Sequence, residues 1–164
     1  MEKKKIEEER LATLRDEKHN ILTIEEEKKK AIIEKAFAEG WVRANEPAEA
    51  TNIKIADVDS RPSGLAAAQQ LNLAGHDVTD FEKNEAIGGL MTLGIPDFKL
   101  EKFIIERRVK LLEEEGITFK VNSLVGKKPT VKKLLKDFDY ICLTGGSEKP
   151  RDLPIPGREL EGVH

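Results

Sequence analysis

An α/β fold with a parallel sheet is predicted by three features of this chain. Short apolar runs, near 53–58, 78–81, 117–121 and 139–146, alternate with stretches of helical pattern. Glycine or proline punctuates nearly every junction between them. Charge is unevenly placed: residues 1–36 are dominated by Glu and Lys, and the apolar runs begin only after residue 52. Strands that alternate with helices pack as a parallel sheet covered by those helices.

Each element follows from local signals. In the charged N-terminal segment, residues 1–42, "TIEEEKKKAIIEKAFAEGW" reads as a helix. Thr23 and Glu26 form a capping box and Gly40 a stop. Ile24, Ile32, Ala36 and Phe37 give it a partial apolar stripe. Before Thr23 the pattern is weak, and a solvated charged face is the favoured reading. Residues 43–52, "RANEPAEATN", read as a linker. Strand one spans Ile53 to Val58. A helix starts near Pro62, suited to a first turn, and runs to about Ala74 with Gly75 as its stop. Strand two is Val78 to Phe81, and "AIGGLMTLGIPDF" reads as a glycine-punctuated loop. Asp97 is placed to cap a helix from about Lys99 to Glu115, with Leu100, Phe103, Ile104, Leu111 and Leu112 as its buried face. Strand three is "ITFKV". A short helix capped by Thr130 follows, then strand four, "DYICLTGG", and a proline-rich extended stretch.

Composition narrows the function classes. The chain has 164 residues, enough for one real core. A net charge of −3 and a pI of about 5.8 argue against nucleic-acid binding. No apolar run is long enough to span a bilayer, and the N-terminus lacks the core of a signal peptide, so a cytoplasmic location without membrane attachment is expected. One cysteine, Cys142, excludes an internal disulfide framework and an all-cysteine metal site. His19, His76 and His164 show no zinc spacing, and no metal ligands are assigned.

The first strand–helix–strand unit carries dinucleotide spacing. In the pattern G-x-G-x-x-G, the first glycine permits the turn out of the strand. The second admits the diphosphate, and the third lets helix and strand pack closely. The helix N-terminus then faces the phosphates, and an acid ending strand two meets a ribose. Here Gly64 holds the third position, and Glu82 follows 18 residues later. Asp59 and Arg61 stand where the first two glycines belong.

From "AIIEKAFAEGW" onward, over roughly residues 22–164, the chain resembles the small (beta) subunit of NADPH-dependent glutamate synthase and related NAD(P)H-dependent flavoprotein oxidoreductases. The run "IGGLMTLGIPDFKLEK" carries most of that resemblance, with "EKPRDLPIPGRELEGVH". The resemblance implies a Rossmann-like FAD-binding domain, of which 53–164 would be the first half. NADPH would bind in a second domain outside this chain, and electrons would pass through FAD and iron–sulfur clusters to a larger partner subunit. It implies cofactor roles for Gly64 and Glu82, and for Gly88 and Gly89 beside the diphosphate. Gly94, Ile95, Pro96 and Phe98 would form a flavin-side wall. Thr144, Gly145 and Gly146 would close over the cofactor. It implies no acid, base or nucleophile among these residues. Cys142 reads as a small strand residue.

The departures set further expectations. Asp57 and Asp80 occupy strand positions that a parallel sheet covers on both faces, where an unpaired carboxylate is costly or stays protonated. Asp59 would repel a phosphate ~4 Å away by about 4 kcal/mol at an effective dielectric near 20, so FAD binding is expected to be weak. Residues 1–40 contain no cysteine, and no iron–sulfur cluster is expected. The chain therefore reads as a fragment, split subunit or degenerate relative of such a flavoprotein. Its partner would be a larger subunit or the rest of the flavoprotein. The alternative is a non-catalytic interaction subunit that keeps the fold and has lost the flavin.

Overall fold

The strand Lys54–Val58 (β1) pairs in parallel with a neighbour on each side. In the computed structural model, which describes residues 24–147 and 151–162, those neighbours are Asp77–Phe81 (β2) and Tyr140–Leu143 (β4). Thr118–Lys120 (β3) pairs in parallel with the far side of β2, giving the order β3-β2-β1-β4. The sheet and its helices are a Rossmann-like α/β arrangement, as the alternating pattern predicts.

The chain divides into two units between Arg43 and Ala44. In the first, a helix (α1) covers residues 24–38. It closes at Gly40, whose φ of 67° lets Trp41 N reach back to the carbonyl of Ala36. Ile24 and Ile32, half of the expected apolar stripe, are exposed. Thr23 lies outside the described residues, so the capping box expected there does too.

The second unit holds the sheet. Residues 43–52 contain neither helix nor strand, but they are not a loose tether. Ala48 N and Thr51 N donate to the carbonyls of Leu73 and Gly75, and Asn45 donates through N and Nδ2 to Glu115 Oε1. Helix α2 (Pro62–Leu73) begins with Pro62 as expected. The stretch expected as plain loop contains a single turn of helix, α3 (Leu90–Leu93). Gly88 and Gly89, with φ of 107° and 55°, precede it.

Helix α4 (Lys102–Glu114) starts later than expected. The carbonyl of Pro96 accepts from Lys99 N and Leu100 N, making a separate turn before the helix. Asp97 is therefore not its cap; its carboxylate pairs with Lys102 Nζ at 3.6 Å. The expected buried face holds at Leu111 and Leu112 but not at Phe103. Ile105, Leu111 and Leu112 are buried, and Phe103 is exposed. Helix α5 (Val131–Asp137) has the expected cap, with Thr130 Oγ1 accepting from Lys133 N at 3.3 Å.

The sheet separates two apolar layers. On one face Leu65 and Ala68 of α2 meet Val78, Ile87, Leu112 and Ile117. On the other, Ala56 and Phe81 meet Leu134 of α5. The first layer is interrupted by acid. Asp57 and Asp80 face each other in register, on the same side of their strands as Ile55 and Val78, and both are fully buried. Asp57 Oδ1 accepts from Thr144 Oγ1 at 3.1 Å. Asp57 Oδ2 and both Asp80 oxygens have no hydrogen-bond partner among the described residues.

Burial pushes the Asp57 carboxyl up to about 6, against the lowering effect of the Thr144 hydroxyl. Burial, followed by repulsion from Asp57, Glu82 and Asp59, pushes Asp80 up to about 8. A carboxyl with a folded-state pKa above its unfolded value keeps its proton in the fold after the unfolded chain has released it. Stability from this source is therefore greatest below about pH 4 and falls as pH rises towards 8. Urea unfolding is expected to show stability falling by several kcal/mol across that window. Asp80→Val should raise stability at pH 8 and flatten the pH dependence; a variant with an unchanged profile would mean that Asp80 is not the titrating group.

Candidate functional site

Strand β1 lies where the connectivity changes direction. The chain goes from β1 to β2 on one side and later adds β4 on the other. Loops leaving β1 and β4 therefore diverge, opening a crevice beyond the carboxyl ends of the strands. Gly64, Thr144, Gly145 and Gly146 lie there with the Asp59–Arg61 loop. Glu82, Gly88 and Gly89 adjoin it from the end of β2.

The backbone of the loop keeps a glycine geometry without the glycine. Asp59 has φ of 97°, a region that glycine enters freely and aspartate seldom does. Its carboxylate turns back onto the loop: Oδ1 accepts from Arg61 N at 3.1 Å, and Oδ2 lies 3.3 Å from Arg61 Nε. The Arg61 side chain crosses the crevice. A Cβ on Gly89 would lie 2.6 Å from Arg61 Cγ, and one on Gly146 would meet its Nη1. One side chain thus rests against both the glycine pair after β2 and the glycine turn after β4.

Gly64 shows why its position takes no larger residue. An added Cβ would run into the carbonyl oxygen of Asp59 and come within 2.9 Å of Thr144 Oγ1. The start of α2 can lie this close to the end of β1 only if residue 64 has no side chain. Thr144 joins the two strand ends: its Oγ1 lies 2.9 Å from the carbonyl oxygens of both Val58 and Asp59.

Glu82 is buried at the end of β2 with all four acceptor positions occupied. Oε2 accepts from Ser60 N at 3.2 Å and Ser60 Oγ at 2.5 Å. Oε1 accepts from Asn84 N at 2.8 Å and Asn84 Nδ2 at 2.7 Å. Burial alone would raise its pKa, but the hydrogen bonds from Ser60 and Asn84 outweigh that and hold the carboxyl below its usual value. Glu82 is thus an anion whose acceptor positions are taken up by the protein itself. Asn84, only half-buried, is the donor most easily exchanged. Beside Glu82 opens a cleft of about 110 Å³, lined in part by Asp59, Lys83, Leu124, Val125 and Gly145.

Three of the expected residues lie apart from this cluster, with Phe98 beyond them. Gly94 and Ile95 end α3, each donating its backbone N–H to the carbonyl of Leu90, and Lys102 Nζ donates to the carbonyl of Ile95. Pro96 forms the turn before α4. Phe98 is 84% exposed.

No protein-family model matches the chain. Its sequence is 52% identical to the glutamate synthase [NADPH] small chain of Mycobacterium tuberculosis over 81% of its length, and 50% identical to that of Bacillus subtilis over 82%. The chain is a homologue of the glutamate synthase small chain. It spans 27% of the length of these curated relatives. Among solved structures, its fold is similar to Mycobacterium tuberculosis FprA in complex with NADPH, with a TM-score of 0.59 and 29% identity, covering 68% of this chain and 26% of that one. A 2-naphthoyl-CoA reductase gives a TM-score of 0.54 at 30% identity, covering 72% of this chain and 17% of that one.

Ser60 and Asn84 are site residues of this small-chain homologue that sequence reasoning passed over. Neither belongs to a motif, and position is their one signal: Ser60 stands between the two loop positions that interrupt the glycine pattern, and Asn84 lies two residues beyond the strand-ending acid. Cys142, opposite Asp57 in the sheet, has its thiol pKa raised by burial and by the Asp57 carboxyl, which suits a strand residue rather than a nucleophile. Among the described residues no group of three or more His, Cys, Asp or Glu is placed to hold a metal ion, and no helix is long and apolar enough to cross a membrane.

Two substitutions test this geometry in urea unfolding. Gly64→Ala is expected to cost about 2–3 kcal/mol, because helix and strand must separate. Ser60→Ala, which leaves a buried carboxylate short of a donor, is expected to cost about 2 kcal/mol. A loss below about 0.5 kcal/mol in either case, within the range of an ordinary surface change, would contradict the contact concerned.

Proposed function

We propose that this chain is the first part of an FAD-binding domain in a glutamate synthase small-chain-like, NAD(P)H-dependent oxidoreductase, with 53–164 as the nucleotide-binding portion and 1–42 as an appended helical segment. The observation that carries this reading is the crevice at the β1/β4 switch point, with Gly64 at the close helix–strand contact and Glu82 ending β2. The small-chain homologues support it: NADPH is part of their names, and it is the ligand of the similar FprA complex.

The residues fit the cofactor unequally. The cleft beside Glu82 suits the nucleoside end of FAD, with Glu82 meeting the ribose once Asn84 Nδ2 yields. Gly88, Gly89, Gly145 and Gly146 surround the place for a diphosphate, but Arg61 lies across it and Asp59 adds a negative charge. The diphosphate does not fit with Arg61 in this position, so FAD binding by this chain is weak and no reaction step is assigned through it. Gly94, Ile95 and Pro96 would meet the flavin end only if the rest of the domain brings it to them. A flavin, when bound, supplies hydride acceptance and onward electron transfer; the residues of this chain would bind and orient it. NADPH would occupy a domain outside this chain, electrons would leave to a larger subunit or the rest of the flavoprotein, and no iron–sulfur cluster belongs to this chain. The setting is the cytoplasm, without nucleic acid or membrane.

The Arg61 contacts favour one second reading: a subunit that keeps the fold for interaction and has given up the flavin. FAD titration tests the flavin reading. The unaltered chain is expected to bind weakly, and Asp59→Gly with Arg61→Gly to bind at least roughly tenfold more tightly, a small part of the approximately 4 kcal/mol available from charge alone. Glycine at residue 59 suits its φ, so the variant keeps the fold. Tight binding by the unaltered chain, unimproved by the double change, would overturn the assignment of Asp59 and Arg61 as obstacles. No binding by either protein would make the remainder of the domain the dominant requirement and the loop substitutions secondary.

A further inference from the structure

On the sheet face covered by α5, a second pocket of about 470 Å³ opens between the end of β3 and α5. It has the size of a small-molecule site. Its floor is aromatic and apolar: Phe81 and Phe138 meet edge to face, with centroids 5.7 Å apart and planes at 83°, next to the fully buried Leu134.

Its rim is basic. Lys120, Lys128 and Lys133 line it, against Asp137 alone. The whole chain carries a net charge of −3, so the pocket inverts the overall sign of the molecule. Two of the lysines are held in place. Lys120 Nζ sits 5.3 Å from the centroid of the Phe81 ring, and Lys133 Nζ pairs with Asp137 at 2.7 Å. Among the described residues Lys128 has no ion-pair partner.

We propose that this pocket binds a small flat aromatic anion, with its ring on Phe138 and Leu134 and its carboxylate or phosphate between Lys128 and Lys120. The ring replaces water over an apolar floor, and the anion meets two ammonium groups that the fold presents at the mouth. The site is separate from the flavin reading. It shares Phe81 and Ser123 with the cleft beside Glu82; Ser123 N is held by the carbonyl of Glu82 at 2.8 Å, so these two residues form a wall between them.

The test is an amide NMR titration of the 164-residue chain with indole-3-carboxylate and, in a second arm, phenyl phosphate. Acetate, inorganic phosphate and indole serve as half-ligands. Saturable shifts at Asn122, Ser123, Lys133 and Phe138 are expected with at least one aromatic anion, and each half-ligand should bind at least roughly tenfold more weakly. The arm that saturates distinguishes carboxylate from phosphate. Lys128→Gln, a change at an exposed side chain, should weaken binding several-fold, and Lys120→Met combined with it by roughly tenfold or more, with amide dispersion unchanged; Lys128→Arg should retain binding. The proposal is overturned if neither aromatic anion saturates, if the shifts centre on Asp59, Glu82 and Gly145, or if Lys128→Gln leaves affinity unchanged.

Discussion

The hydroxyl of Ser60 holds the mouth of this fold together. It donates to Glu82 at 2.5 Å and accepts from Gly88 N at 3.1 Å, tying the loop after β1, the end of β2 and the glycine pair to one atom. Glu82 extends the tie through Asn84. The carbonyl of Asn84 then accepts from Asn122 N at 2.8 Å, joining the segment after β3. A charge-assisted bond in a buried place is strong, and it leaves its partners little freedom. The crevice, the cleft beside Glu82 and the wall of the basic pocket all inherit their positions from this network.

Against that rigid frame, the Asp59–Arg61 loop acts as an internal replacement for a phosphate. Arg61 is the N-cap residue of α2 and makes no side-chain cap. The carboxylate that accepts its N–H belongs to Asp59. An anion therefore occupies the positive end of the helix, as a ligand phosphate would, and its counter-charge is supplied by Arg61 from the same loop. The interaction is neutral overall and self-contained, at the cost of a left-handed aspartate. One donor at the helix terminus, the N–H of Arg61, is thereby satisfied from within the loop.

Much of this was legible in the sequence. Strand and helix order, Pro62 at the start of α2, the Thr130 cap and the buried acids at 57 and 80 all follow from local spacing. The turn of α3 was not legible, because two positive-φ glycines and a proline close together read as loop. The start of α4 was missed because a turn at Pro96 consumes the residues between Asp97 and the helix. At the site, residue types pointed to Gly64 and Glu82. They could not reveal that Glu82 is already fully hydrogen-bonded, since Ser60 and Asn84 carry no pattern of their own; nor could they show how far Arg61 reaches.

The contact at Gly64 also orders the ways in which such a site can change over generations. Residues 59 and 61 can carry side chains because the loop turns them back onto itself and over the crevice. Residue 64 has no such latitude, since the carbonyl of Asp59 fills the space where a side chain would begin. A lineage that stops using a nucleotide can therefore lose its loop glycines one at a time and still fold, whereas the glycine that seats the helix is retained for packing after any ligand has gone.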